Sequence, residues 1–190
     1  IGHTGSGKSS IVQLLMKAYM PTSGSISLNG IDIANLETNE YRSLMGIVPQ
    51  DVFLFSDTIE NNIRFGNVNA SPSEITQAAQ IADLHENILA FEEKYETLLG
   101  ERGINLSGGQ KQRLSIARAI ISNPEILLLD DCLSAVDTQT DEKIMRGLKQ
   151  VRDGKTNIII SHRISSVHHA DKIFVLQQGQ LAESGTHEEL

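Results

Sequence analysis

Gly2-His3-Thr4-Gly5-Ser6-Gly7-Lys8-Ser9 decides the reading of this chain. The pattern is G-x-x-x-x-G-K-S, and each residue type in it has a physical task. Glycines admit backbone dihedrals closed to other residues and let the main chain approach an anion. Successive N–H groups then converge into an anion nest. Lys8 sets a positive charge against the outer phosphates, and the Ser9 hydroxyl suits Mg²⁺, a hard cation that takes oxygen ligands. The helix expected to follow turns its positive N-terminal end to the same anion. The competing reading is a glycine-rich turn with an incidental lysine, and the rest of the chain must decide. A phosphate loop follows a strand, so Ile1 is expected to be a strand's last residue. With no initiating Met, the 190 residues are expected to be a piece of a longer chain.

Composition narrows the classes. The length suits one domain, and a 39% hydrophobic share supports a core. Aromatics make up 4% with no Trp, which argues against stacking platforms for single-stranded nucleic acid. A net charge of −8 argues against a broad basic footprint, so no nucleic-acid partner is expected. The single cysteine, Cys132, forms no internal disulfide and fits a reducing compartment.

The hydrophobic pattern predicts a helix over residues 9–20, with Ile11, Leu14, Leu15 and Ala18 on one face. Residues 25–28 and 31–33 alternate around Asn29-Gly30, which predicts a small antiparallel hairpin. A short helix over 38–45 and a short strand over 46–48 follow. Ser71-Pro72-Ser73-Glu74 is a capping box opening a helix with Ile75, Ala78, Ala79 and Ala82 inward. A second short helix after Asp83 is expected to turn Ile88, Leu89 and Phe91 inward. The apolar runs 126–129, 157–161 and 173–176 suit strands buried on both faces of a parallel sheet, the third followed by a Gln178-Gly179 turn and Leu181-Ala182-Glu183. A helix over 138–151, with Ile144, Leu148 and Val151 aligned, makes the first two a right-handed parallel crossover. Thr186 and Glu189 have the spacing of a helix start, so the C-terminus is also expected to be truncated. His3, His85, His168, His169 and His187 read as surface residues, with the adjacent His168 and His169 facing different ways.

Two segments add chemistry. Asp130 and Asp131 end the run 126–129, and ligands of open parallel sheets sit at the carboxyl edge. A carboxylate there can hold Mg²⁺ and its neighbour can polarise a water; the plain alternative is a pair of acids capping the next turn. Leu106-Ser107-Gly108-Gly109-Gln110 opens a helix over about 108–121, whose bare glycine turn is an anion site or merely a capped helix start.

In order and spacing, over essentially the whole chain, these segments resemble the nucleotide-binding domain of ABC transporters. The matches are Walker A at residues 2–9, the Q-loop Gln50, the signature at 106–110, Walker B at 126–130, the D-loop Ser134-Ala135-Val136-Asp137 and the switch His162. Residues 99–103 and 53–59 resemble exporter-type loops. The resemblance implies an α/β fold: a P-loop NTPase (RecA-like) parallel sheet core with a small antiparallel β part and a helical subdomain, truncated at both ends. Residues 1–190 would be a partial ATP-binding domain, with 71–121 approximately the helical subdomain that carries the signature. It further implies ATP contacts from Gly2, Thr4, Gly5, Ser6, Gly7, Lys8, Ser9 and Ser10. Mg²⁺ would be held by Ser9, Gln50 and Asp130, and catalysis would involve Asp131, His162 and Gln50. Ser107, Gly108, Gly109, Gln110 and Asp137 would act across a head-to-tail dimer with a second such domain, driving a transmembrane domain of the same parent chain. That parent would lie in a membrane, bacterial by resemblance, with this domain on the cytoplasmic face.

One departure matters. Most of the family carries Glu directly after the Walker B Asp, and this chain carries Asp131. The two acids have similar intrinsic acidity, but Asp is one methylene shorter. This resembles the degenerate half of a heterodimeric exporter, whose own site hydrolyses ATP poorly while its signature completes the partner's site. The alternatives are a homodimeric exporter with Asp131 as working base, or a soluble ABC ATPase outside transport. The adenine-stacking aromatic of the family lies upstream of residue 1, so the isolated fragment is expected to fold marginally and bind nucleotide weakly.

Overall fold

The computed structural model describes residues 1–190, the side chain of Ser165 excepted. At its centre is β4 (Ile126–Asp130), buried at all five positions. An uninterrupted apolar run needs cover on both faces, and both covers are present. β3 (Met45–Val48) and β5 (Thr156–Ile160) flank β4 in parallel, in the order β3-β4-β5. Val48 pairs with Leu129 and Leu129 with Ile159, so all three strands end at one edge.

Side chains alternate across a strand, and the two cores follow that alternation. Ile126 and Leu128 pack with Val12 of α1 (Lys8–Leu15) on one face. Leu127 and Leu129 join the larger core on the other face. Its helices include α3 (Ile59–Arg64), α4 (Pro72–Ile81), α5 (His85–Leu89), α6 (Gly108–Ile120) and α7 (Thr138–Val151). α7 is the crossover from β4 to β5, and its N-cap Asp137 accepts the Thr140 N–H at 3.0 Å. Ser71 and Glu74 form the reciprocal capping box of α4. The hairpin β1 (Ser27–Leu28) and β2 (Ile31–Asp32) is antiparallel, with Asn29 and Gly30 both at positive φ. From α2 (Thr38–Ser43), the Tyr41 hydroxyl donates to the Leu15 carbonyl at 2.8 Å, tying this small part to the end of α1.

The structure corrects several expectations. α1 stops at Leu15, not at residue 20. Lys17 takes φ 52°, its N–H donates to Leu14 O, and the Ala18 N–H reaches back to Gln13 O. That pair of bonds is a Schellman stop with lysine in the place glycine usually fills. The buried face of α1 centres on Val12, and Ile11 is 39% exposed. α2 ends at Ser43, which leaves Met45 to start β3. Leu89 and Val151, expected inward, lie outward on the last turns of their helices. The run 173–176 does not join the parallel sheet. It lies in β6 (Ile173–Gln177), antiparallel to β7 (Gln180–Gly185), because Gln178 and Gly179, both at positive φ, close a tight hairpin. An apolar cleft of about 390 Å³, lined by Ile11, Ile158, Phe174 and Leu181 among others, separates this hairpin from β5. At the C-terminus Thr186 N–H donates to Glu189 Oε2, but the segment is a turn, not a helix. His168 and His169 do not diverge: the turn after residues 164–166 brings their ring centroids to 3.5 Å. His85 is half-buried, its Nδ1 2.9 Å from the Tyr95 hydroxyl.

α3 meets α6 through a polar knot. Buried Asn62 accepts from Phe55 N–H and Arg118, and donates to the Phe55 and Thr58 carbonyls. The Arg118 guanidinium also lies over the Phe55 and Phe65 rings. Close approach here depends on Gly66, where a Cβ would overlap the Arg118 carbonyl oxygen. Gly66→Ala is expected to push α3 from α6 and cost about 1–3 kcal/mol, as overpacking does, read as a lower urea midpoint at unchanged m-value.

Candidate functional site

The loop 2–7 enters α1 directly. Ile1 is tied beside β6: its backbone nitrogen donates to Phe174 O at 2.7 Å, and the Leu176 N–H donates to Ile1 O at 2.8 Å. Gly2, Gly5 and Gly7 have φ of 152°, 81° and 96°, values that favour glycine. A Cβ on Gly5 would meet nothing within 4 Å, so the loop's outer side is open. The Ser6 hydroxyl is buried and has no hydrogen-bond partner among the described residues. α1 has no side-chain cap, which leaves its first N–H groups facing the loop. Lys8 arches back over the loop, its Nζ donating to Gly2 O and His3 O at 2.7 and 2.8 Å. Thr4 and Ser10 are exposed on the same loop and first turn.

The carboxyl edge of the sheet meets this loop. The Ser9 hydroxyl donates to Asp130 Oδ1 at 3.3 Å. Burial pushes the Asp130 carboxyl above the usual range; the Ser9 bond opposes this, Asp131 adds to it, and Lys8 opposes it. Asp131 sits at φ 46° with its N–H on Ile160 O, and its Oδ1 lies 2.8 Å from His162 Nδ1. An ionised carboxylate only accepts, so that contact fixes the ring tautomer with the proton on Nδ1. Gln50 is exposed two residues beyond Val48, as Asp131 is two beyond its partner Leu129.

These residues fit magnesium and a polyphosphate. The open glycine loop, the orphaned Ser6 hydroxyl and the uncapped helix start ask for acceptor oxygens. The Ser9–Asp130 oxygen pair suits a cation whose other ligands are phosphate and water. Among the described residues no group of three or more His, Cys, Asp or Glu side chains forms a self-sufficient metal cage.

The segment 107–110 lies elsewhere on the chain. Ser107 Oγ accepts the Gln110 N–H at 3.2 Å and Gln110 Oε1 accepts the Ser107 N–H at 2.8 Å, a complete capping box on α6. Among the described residues no hydrogen bond or ion pair joins 107–110 to 2–9. The glycines are packing positions as well: a Cβ on Gly109 would lie 3.0 Å from Ala135 O. Asp137 is exposed, with Thr140 holding its carboxyl below the usual range. Cys132 is buried beside Asp131, and burial pushes its thiol up to about 12.

Three features of this region escape a reading of the sequence. One is the Asp131–His162 contact, which spans 31 residues. The others are Gln112 and Arg163. Gln112 bonds to Ser134 and Ala135, and Arg163 bonds to the carbonyls of Leu133, Ser134 and Val136. Their only sequence signal is adjacency: Arg163 follows His162, and Gln112 lies two residues past Gln110.

Comparison with known proteins gives concordant likenesses. A family model described as ABC transporter matches residues 1–134. The chain is 48% identical over all 190 residues to ATP-binding cassette sub-family B member 6 of Xenopus tropicalis, covering 22% of that protein. It is 49% identical over all 190 residues to the uncharacterized ABC transporter ATP-binding protein YknU of Bacillus subtilis (strain 168), covering 32% of it. The solved structure of a bacterial Atm1-family ABC exporter with ATP bound matches 99% of this chain with a TM-score of 0.95 and 44% identity, over 33% of its own length. The chain thus spans a fifth to a third of the length of these relatives.

The raised Asp130 carboxyl carries a stability consequence. The folded protein holds that proton more tightly than the unfolded chain, so stability is lost as pH climbs from the ordinary carboxylate range through the raised value. Asp130→Asn is therefore expected to raise the thermal unfolding midpoint at neutral pH. The gain should shrink as the pH is lowered into the carboxylate range, a trend that scanning calorimetry against pH checks.

Proposed function

The chain belongs to the ABC transporter family, and from that premise we propose that it is the ATP-hydrolysing domain that powers a membrane exporter. The family is one of ATP-binding, ATP-hydrolysing domains. The observation that carries the reading is the convergence of Lys8, Ser9, Asp130, Asp131 and His162 on one sheet edge. In this reading residues 1–190 are one ATP-binding domain, with 71–121 as its helical part. Gly2, Thr4, Gly5, Ser6, Gly7, Lys8, Ser9 and Ser10 bind the phosphates of ATP. Ser9, Asp130 and Gln50 hold Mg²⁺, which when bound neutralises charge on the phosphate oxygens. Asp131 takes the proton of the attacking water. The water oxygen bonds to the γ-phosphorus, the bond to the bridging oxygen breaks, and ADP and inorganic phosphate result. His162, its tautomer fixed by Asp131, faces the γ-phosphate.

Ser107, Gly108, Gly109, Gln110 and Asp137 act on the nucleotide of a second, similar domain. Their separation from residues 2–9 supports that reading, because they are not positioned on their own chain's loop. The relatives' greater length supports membrane spans in the same parent, with this domain on the cytoplasmic face. We take the second domain to belong to a different chain, since the short arm of Asp131 reaches less far than Glu. A homodimer is the second reading, favoured by one observation: Asp131 keeps both a carboxylate and a bonded histidine.

The experiment is ATPase turnover of the full-length parent in lipid. Lys8→Ala is expected to abolish ATP binding, and unaltered binding would overturn the assignment of the loop. Asp131→Glu is expected to raise turnover of the protein alone by about 10²-fold or more, the scale of general-base catalysis. Brisk wild-type turnover that Glu leaves unchanged would instead establish Asp131 as the working base of a homodimer.

A further inference from the structure

We propose that Gln112 and Arg163 are positioning residues that together clamp the segment 133–136 and so lock the 107–110 face of the chain to its own Asp131–His162 pair. The inference rests on the functional reading above, which gives those two places their roles.

The segment starts at Asp131, in the left-handed region, and ends at Asp137, the N-cap of α7. Between them the backbone is neither helix nor strand, so its polar groups need partners from elsewhere. Two side chains supply most of them. Gln112, buried on α6, spends both ends of its amide here: Nε2 donates to Ser134 Oγ at 3.2 Å and Oε1 accepts the Ala135 N–H at 3.0 Å. The Arg163 guanidinium donates to Ser134 O at 2.6 Å, Val136 O at 3.0 Å and Leu133 O at 3.4 Å. Both residues meet at Ser134, one at its hydroxyl and one at its carbonyl.

Each clamp is rooted in a different part of the site. Gln112 stands on the helix that begins with Ser107, and Gly108 and Gly109 press on Ala135. Arg163 is the residue after His162, and its own N–H donates to the buried Ser161 hydroxyl at 2.9 Å. Behind it, Ser166 donates to Asp141 of α7 at 2.6 Å, with both side chains buried. The α6 start, the segment and the switch histidine are thus joined by the bonds of Gln112 and Arg163. A displacement of α6 relative to β4 strains the Gln112 bonds, and the strain falls on the carbonyls that hold Arg163 and hence His162. A lysine in place of Arg163 offers one compact ammonium and cannot reproduce a fork reaching three carbonyls.

The test uses the full-length protein in lipid, in wild-type and Asp131→Glu backgrounds, with Gln112→Met, Arg163→Met, Arg163→Lys, Ser134→Ala and the Gln112/Arg163 double variant. Equilibrium ATP affinity, kcat and amide hydrogen exchange at residues 134–136 are read together. We expect ATP affinity within about twofold of the parent background, with kcat lowered about tenfold and no rescue by Arg163→Lys. The double variant should be no slower than the slower single, because coupled residues are not additive. Ser134→Ala, the mildest change, should lower kcat severalfold and speed exchange of the Ala135 amide. It carries the test if the larger substitutions fail to fold. Unchanged kcat and exchange in stable variants would overturn the clamp, as would multiplicative losses in the double variant. A loss of ATP affinity matching the loss of kcat would also overturn it, since that marks mere collapse of the site. Failure of the unsubstituted protein to bind ATP would sink the functional reading instead, and the exchange data would still decide whether Gln112 and Arg163 hold the segment.

Discussion

A carboxylate at the end of a strand buried on both faces is the constraint on which the rest of the structure depends. β4 must be apolar along its length to sit between two helical layers, and yet it ends in Asp130, with Asp131 directly after it. Burying a charge without strong partners is costly, and among the described residues the Ser9 hydroxyl is the hydrogen-bond donor offered to Asp130. The same economy recurs nearby. The Ser6 hydroxyl is orphaned, the start of α1 lacks a cap, and Lys8 satisfies itself on backbone carbonyls. Polar atoms left short of partners around one loop, in a fold whose α4 and α6 complete their capping boxes, are how stability is exchanged for readiness to bind. The helical layers hold this arrangement in place: Val12 anchors α1 under β4 on one side, and α6 anchors the other.

The fold also shows how irregular backbone is given hydrogen-bond partners beside the candidate site. Asp131 takes a left-handed conformation that aspartate tolerates better than most side chains, and this turns the chain out of the sheet toward His162. From there to Asp137 the chain has no ladder to join. Arginine and glutamine serve in place of the missing backbone partners, much as Asn62 and Arg118 do where α3 crosses toward α6.

What was legible in the sequence was what local chemistry dictates. Capping boxes at Ser71 and Ser107, the Asn29-Gly30 turn, the bounds of α7 and the buried run of β4 all follow from residues within a few positions of one another. The ordered set of motifs was enough to indicate the family and the α/β fold. Errors arose where a distant or unexpected partner decided the outcome. Nothing near Lys17 forecasts a left-handed lysine ending α1. The run 173–176 has the composition of a central strand, but a two-residue turn hands it to β7 first. Leu89 and Val151 fit their helical stripes and still face outward, since a stripe drifts off the core at a helix end. The grip of Gln112 and Arg163 joins residues more than twenty positions apart, beyond any local pattern.

The interment of Cys132 has a practical corollary. It is the chain's sole sulfhydryl, shielded from solvent, with its deprotonation displaced far above neutrality, and the thiolate is the nucleophilic form. Within residues 1–190 the native fold therefore gives an almost silent background for maleimide fluorophores and spin probes. A cysteine introduced at exposed Ala135 or beside Asp137 would take such a label selectively, turning the segment between β4 and α7 into its own reporter.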